Sequence, residues 1–312
     1  MIIGSQDDVT KAVLEEVARA SDPRFKELLS AAVRHLHDFA RETRLTEAEF
    51  HKICGYIAKL GQLTTPSHNE VVLVAGSLGL SSLVCLLNNG DQGQTETTAN
   101  LMGPFWRMNS PSVENGGSIL RSETAGEPVF VDAWVRDRDG KPVAGAEVDV
   151  WQASGEGFYE NQDPTQADMN LRGKFTTDDQ GHIWFRTIKP QGYPIPVSGV
   201  AGELLRAQGR HNMRPAHIHF MIYKPGYKTQ FSQVYSSDDP HLETDVQFGV
   251  TRALVADYEC HTEPAPDPAV TGTWYSLERH FIIEPGDAML PNPPITGKAS
   301  GERPVRTVLA RS

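Results

Sequence analysis

Paired-cysteine motifs, basic blocks and long apolar runs are all missing from this 312-residue chain. Its three cysteines, Cys54, Cys85 and Cys260, are widely scattered. An odd count without CxxC spacing excludes a disulfide framework and a thiolate zinc site, and predicts buried free thiols in a reducing cytoplasm. The formal net charge is -11 with no Lys/Arg-rich block, which excludes a nucleic-acid partner, because a phosphate backbone requires a basic face. The longest apolar run, Val71 to Leu87, is interrupted by Gly76, Gly79 and several serines. It falls short of the roughly 18 to 20 uninterrupted residues of a membrane span. The opening Met1 to Asp8 also lacks the basic start and apolar stretch of a signal peptide. With 22% charged and 39% hydrophobic residues, the chain has the balance of a soluble globular protein.

What is present changes character near residue 105. Before it the period is helical. Asp22-Pro23 reads as an N-cap and first helical residue, followed by Phe25, Leu28, Leu29, Ala32, Leu36 and Phe39 on one stripe. Thr46 and Glu49 have capping-box spacing, ahead of Phe50, Ile53, Ile57 and Leu60. The apolar run Val71 to Leu87 should be buried against other helices or another subunit. Four or five helices are expected over 1–104, as a helical domain that dimerises. From 105 to 312 the chain reads as strands: Val129 to Val135, Glu147 to Trp151, Ile183 to Ile188, His217 to Tyr223, Phe231 to Tyr235 and Phe281 to Glu284. Short strands with long irregular loops predict an antiparallel β-sandwich, so the whole is mainly β with an all-α N-terminal region.

The chemistry concentrates in Arg214-Pro215-Ala216-His217-Ile218-His219-Phe220. Alternation on a strand puts His217 and His219 on one face and Ile218, Phe220 and Ile222 on the other. Two imidazoles on one face suit chelation of a metal, although zinc, copper and nickel accept imidazole as readily as iron does. No glutamate follows His219 at short spacing, and Asp238-Asp239 reads as a solvated turn. The loops offer tyrosine instead: Tyr159 after the strand ending at Trp151, and Tyr193 after the strand ending near Ile188. Either tyrosine alone would be an ordinary hydrogen-bonded residue. Combined with the histidine pair, two phenolates favour a trivalent cation and hence Fe(III), which points to activation of an organic substrate rather than of O2 by the metal. His35, His37, His182 (placed in a Gly-rich turn), His211, His241, His261 and His280 have no such pattern.

The segments Gly157-Phe158-Tyr159, Gln191-Gly192-Tyr193-Pro194 and Gly209 to Phe220, with Gln233 shortly after, resemble the intradiol ring-cleavage dioxygenases, the catechol and hydroxyquinol 1,2-dioxygenases. Gly103-Pro104-Phe105-Trp106 is similar to that family's entry into its catalytic domain, and Pro142 to Ala153 to its second strand. The resemblance implies Fe(III) held by Tyr159, Tyr193, His217 and His219. Tyr159 would stay on the metal, while Tyr193 would be displaced by the chelating diol and take one of its protons. Arg214 would stabilise negative charge developing on the ring, and Gln233 would hydrogen-bond an intermediate. It also implies a homodimer through the N-terminal helices, able to hold a phospholipid at the interface.

For the substrate pocket the resemblance points to Leu73, Gly76, Leu101, Pro104, Phe105, Ile195, Pro196 and Val197. The stretch Tyr193 to Leu205 looks more like hydroxyquinol enzymes than simple catechol enzymes, implying cleavage of benzene-1,2,4-triol by O2 to 3-hydroxy-cis,cis-muconate (maleylacetate). Gly76 departs from the aspartate that such enzymes often carry, which removes a partner for the third hydroxyl and enlarges the pocket for catechols, chlorocatechols or pyrogallol. Two rival readings remain: a zinc or Fe(II) protein with structural tyrosines, and a transthyretin-like binding module without catalysis.

Overall fold

The computed structural model describes residues 2–89 and 99–311. It contains two compact units, Met1–Ala58 and Lys59–Ser312, so the contact division falls well before the change of pattern at residue 105.

In the first unit, α1 (Gln6–Val17) is capped by Ser5, and α2 (Pro23–Glu42) by Asp22 with proline at its first position. The capping box is formed: Thr46 N–H and Oγ1 donate to Glu49, and Glu49 N–H donates to Thr46 Oγ1, opening α3 (Glu47–Leu63). The stripe on α2 is exposed, with Phe25, Leu28, Leu36 and Phe39 all open to solvent.

In the second unit the apolar run breaks into α4 (Glu70–Ser77) and α5 (Leu80–Asn89), bent by 75° at Leu78-Gly79. Gly79 adopts φ +74°, a left-handed conformation that ends α4 and redirects the chain. The expected burial holds for Leu73, Gly76 and Ser77, whereas Leu83, Val84 and Leu87 are exposed. Among the described residues, no single helix is long and apolar enough to cross a membrane.

The strands are β1 (Pro128–Arg136), β2 (Glu147–Gln152), β3 (Arg172–Thr176), β4 (His182–Ile188), β5 (Tyr193–Pro194), β6 (Met213–Arg214), β7 (His217–Tyr223), β8 (Gln230–Ser236), β9 (Val255–Ala256), β10 (Glu259–His261) and β11 (Trp274–Ile282), with α6 (Val200–Ala207) after β5. They form a four-stranded sheet β10-β11-β1-β4, a five-stranded sheet β3-β2-β7-β8-β9 and a two-stranded ribbon β5-β6; the two larger sheets make the sandwich. Between the two larger sheets lies a core including Val129, Val131, Ala133 and Val135 from one and Val148, Val150, Ile218, Phe220 and Ile222 from the other. The sandwich is mostly antiparallel, but β1 pairs with β11, and β8 with β9, in parallel.

Three details correct the sequence reading. The last long strand is Trp274–Ile282 rather than Phe281 to Glu284, because it must run the full length of β1. His182 begins β4 instead of lying in a turn, and its Nε2 is 2.8 Å from Asp132 Oδ1 on the paired strand. The thiols are not buried: Cys54 and Cys260 are exposed and Cys85 is half-buried.

Candidate metal centre

The face of the five-stranded sheet turned away from the sandwich core carries the site. His217 and His219 on β7 both point there, while Ile218, Phe220 and Ile222 enter the core. On neighbouring β8, Tyr235 lies opposite His217 and Gln233 opposite His219. On the other side, β2 places Trp151 opposite His219, stacked on its ring at 4.6 Å. Tyr159 follows β2 in a loop, and Tyr193 opens β5, which pairs with β6 at Arg214. All these side chains are buried.

The donor atoms converge. His217 Nε2 and His219 Nε2 are 3.1 Å apart, and Tyr159 Oη lies 3.4 Å from His217 Nε2. Two donors each about 2.1 Å from one cation, at roughly a right angle, would be about 3.0 Å apart. The Tyr193 ring packs edge-on to Tyr159, at 5.2 Å between centroids, and 5.6 Å from His217. Its buried Oη has no hydrogen bond of ordinary geometry, although Arg214 and Tyr159 are near enough to affect its proton affinity.

The protonation states suit metal ligation. His217 Nδ1 is 2.7 Å from the Pro215 carbonyl, which can only accept, so Nδ1 carries the proton and Nε2 offers a lone pair. Burial and then Arg214 push His217 down to about 3. His219 is held well below its ordinary value by burial, then by His217 and Arg214. Both imidazoles are therefore neutral at pH 7. Burial raises Tyr159 well above the usual phenol range, reinforced by Tyr193. Burial also raises Tyr193, with Arg214 pulling partly in the opposite direction. Two neutral imidazoles and two phenols that only a strong Lewis acid would deprotonate fit a hard trivalent cation. Among the described residues, no group of three or more His, Cys, Asp or Glu side chains is arranged to hold a metal, so the rival site with a third histidine or carboxylate has no support there.

Gly103 gives this cluster room. It has φ +74°, and a β-carbon there would lie 3.2 Å from His219 Cε1. Arg214 is fully buried and clamped: Nε and Nη2 donate to the two Asp245 oxygens at 3.0 Å each, and Nη2 also reaches Tyr235 Oη at 2.7 Å and Gln233 Oε1 at 3.0 Å. Nη1 lies 3.4 Å from His217 Nε2, on the donor side. Burial would lower the proton affinity of Arg214, but Asp245, Tyr235 and Tyr193 together hold it well above its ordinary value. Gln233 spans inward, with its Nε2 donating to the Leu101 carbonyl at 2.8 Å.

Of the pocket residues expected from sequence, Leu73, Phe105 and Ile195 share an apolar cluster with Tyr159 and Tyr193, and Phe105 packs 4.6 Å from the Tyr159 ring. Leu101 and Pro104 are buried beside Gly103. Ile195, Pro196 and Val197 line, with Phe105 and Phe158, a cavity of about 490 Å³. Gly76 does not enlarge a pocket, because the Gln247 side chain fills the space that a residue there would take. Asp239 is not merely solvated: its Oδ2 accepts from the Ala216 N–H at 2.8 Å, fixing the backbone just before the histidines.

Sequence reasoning missed Tyr235, Trp151, Asp245 and Gln247. Tyr235 was within reach, since it alternates with Gln233 on one strand face, whereas Asp245 lies in a loop that no periodicity marks.

Comparison with known proteins identifies the family. Residues 101–276 match the family described as Dioxygenase, and residues 22–96 match the Catechol dioxygenase N terminus. The chain is 40% identical over 281 residues to the 6-chlorohydroxyquinol 1,2-dioxygenase of Cupriavidus pinatubonensis, covering 90% of this chain and 98% of that protein. It is 37% identical over 278 residues to the hydroxyquinol 1,2-dioxygenase of a Rhizobium species, covering 88% and 93% respectively. The solved hydroxyquinol 1,2-dioxygenase of Pseudomonas putida superposes with a TM-score of 0.77 at 34% identity, covering 90% of this chain and 99% of that one. With two family matches spanning both ends of the fold and relatives aligned almost end to end, this chain belongs to the intradiol ring-cleavage dioxygenase family.

Proposed function

We propose that this enzyme cleaves hydroxyquinol between its adjacent hydroxyl-bearing carbons, with ferric iron held by Tyr159, Tyr193, His217 and His219. The convergence of two neutral imidazoles and two buried phenols carries the reading of the metal. The names of the relatives that align over most of the chain carry the reading of the substrate.

When bound, the ferric ion would supply Lewis acidity, lowering the proton affinity of the diol and drawing electron density from its ring. The protein residues do the rest. As the phenolate held by ferric iron, Tyr193 Oη, buried without a hydrogen bond of ordinary geometry, would be able to take a proton from an arriving diol hydroxyl. Arg214, held by Asp245 and Tyr235, directs its remaining Nη1 donor towards the donor cluster and stabilises negative charge there. Gln233 fixes the same guanidinium and ties it to the Leu101 backbone. Trp151, stacked on His219, and Phe105, against Tyr159, keep water away from the ligands. Leu73, Phe105 and Ile195 provide apolar surface for an aromatic ring.

The test is colour and turnover. Protein loaded with ferric iron should be red-brown from tyrosinate-to-iron charge transfer and should consume hydroxyquinol and O2 with a higher kcat/KM than catechol, chlorocatechols or pyrogallol. A colourless protein, inactive after ferric loading, would sink the metal reading. A preference for catechol would replace the substrate and leave the reaction class intact.

The exposed stripe on α2 favours assembly as a homodimer, since an apolar face of this size on a soluble chain marks an interaction surface. Sedimentation should give a dimer, and a Leu36→Asp/Phe39→Asp variant a monomer. A monomeric wild-type protein at micromolar concentration would refute this.

A further inference from the structure

Gly76 and Gln247 compete for the same space. Gly76 lies inside α4, where glycine is a poor helix former, so its presence requires a packing reason. A β-carbon at position 76 would lie 2.8 Å from both Cδ and Oε1 of Gln247 and 3.0 Å from its Nε2. The amide of Gln247 thus rests directly on the helix backbone.

That amide is incompletely used. Gln247 is 1% exposed, yet its Nε2 has no hydrogen-bond partner. The neighbouring Ser77 Oγ, also buried, has none either. Buried polar groups are nearly always paired, so an orphaned donor calls for a partner from outside the chain, which near a binding site can be a ligand group.

The Gln247 backbone is tied to residues of the diol site. Gln247 N–H donates to Asp245 Oδ1 at 3.2 Å, the carboxylate that clamps Arg214. The Gln247 carbonyl accepts from Ser82 Oγ at 3.0 Å, pinning the turn to α5. Leu73, one helical turn before Gly76, belongs to the apolar cluster around Tyr159 and Tyr193.

We propose that Gln247, seated over Gly76, determines specificity by hydrogen-bonding a ring hydroxyl outside the chelating pair. This rests on the reading of the site as a diol site. A primary amide offers both donors and an acceptor, matching a hydroxyl that does both, whereas hydrogen or chlorine at that ring position leaves the amide unpaired. Gln247 therefore supplies from a loop the polar contact that the residue at position 76 lacks.

The test compares kcat/KM for hydroxyquinol and catechol in wild type, Gln247→Met and Gly76→Ala, each loaded with iron. Methionine preserves length while removing the amide, so the triol-to-catechol ratio should fall about tenfold or more. In Gly76→Ala the new β-carbon must displace the same amide, and the ratio should move in the same direction. That second variant decides the matter if Gln247→Met does not fold. An unchanged ratio, or equal losses on both substrates, overturns the role of Gln247 while leaving the choice of substrate standing. A wild type that prefers catechol overturns the choice of substrate, yet the ratio shift between variants still decides the role of Gln247.

Discussion

Replacing Arg214 by leucine should lower kcat by about 10²–10³-fold and destabilise the fold by about 3–5 kcal/mol. The two losses have separate origins. Turnover falls because the guanidinium presents Nη1 to the donor cluster, where negative charge on the substrate would develop. Stability falls because Asp245, only 5% exposed, would lose both charge-assisted bonds from Arg214 and remain as a buried carboxylate without a counter-charge, held only by the Gln247 and Gly249 backbone N–H groups. Burial opposes ionisation of Asp245, but the adjacent Arg214 keeps its proton affinity below the ordinary carboxylate value. In the wild type this pairing contributes stability above the unfolded carboxylate pKa of about 4, and that stability is lost as pH falls through the lowered folded value. In Arg214→Leu the buried carboxylate keeps only the Gln247 and Gly249 backbone N–H donors and loses its counter-charge, so the deficit should be largest at pH 7 and shrink on acidification. Urea denaturation of both proteins at pH 7 and pH 5 measures this. Adding Asp245→Asn to Arg214→Leu should recover much of the stability by removing the stranded charge, but none of the turnover. If turnover returned with stability, Arg214 would be only a structural cation.

The same arginine marks how far the sequence could be read. Strand alternation alone placed His217 and His219 on one face of β7, and the register with β8 then brings Gln233 and Tyr235 alongside them. Such contacts are legible because a period of two is a local property of the backbone. Asp245 and Gln247 were not legible, because they sit on an irregular turn whose position depends on long-range contacts with Arg214, Ser82 and Gly76. Gly76 shows the hazard of reading an absent side chain as empty space, since another segment fills the gap. The bend at Gly79 was not legible either: the glycine was visible in the apolar run, but hydropathy records burial and not direction. The cysteines were misjudged through a general tendency of thiols to be buried, which no neighbouring pattern enforced here.

Uptake of ferric iron should become tighter by at least about a hundredfold for each unit of rising pH near neutrality, because each phenol must lose a proton to bind as phenolate. Burial first, then neighbouring charge, holds Tyr159 protonated well above its ordinary range, and burial also raises Tyr193, so both start as phenols at pH 7. His217 and His219 contribute no protons, since burial and Arg214 already keep them neutral. The slope therefore counts phenols, together with any water that ionises on the metal. Competition against a chelator of known pH dependence, followed through the visible band from pH 6 to 8, gives that slope for the wild type. Tyr159→Phe keeps the ring that packs on Phe105 and removes one ionisable donor, so its slope should be lower by one power of ten per pH unit, with the band weakened or shifted. An identical slope and band in the two proteins would remove Tyr159 from the ligand set and reopen the identity of the metal.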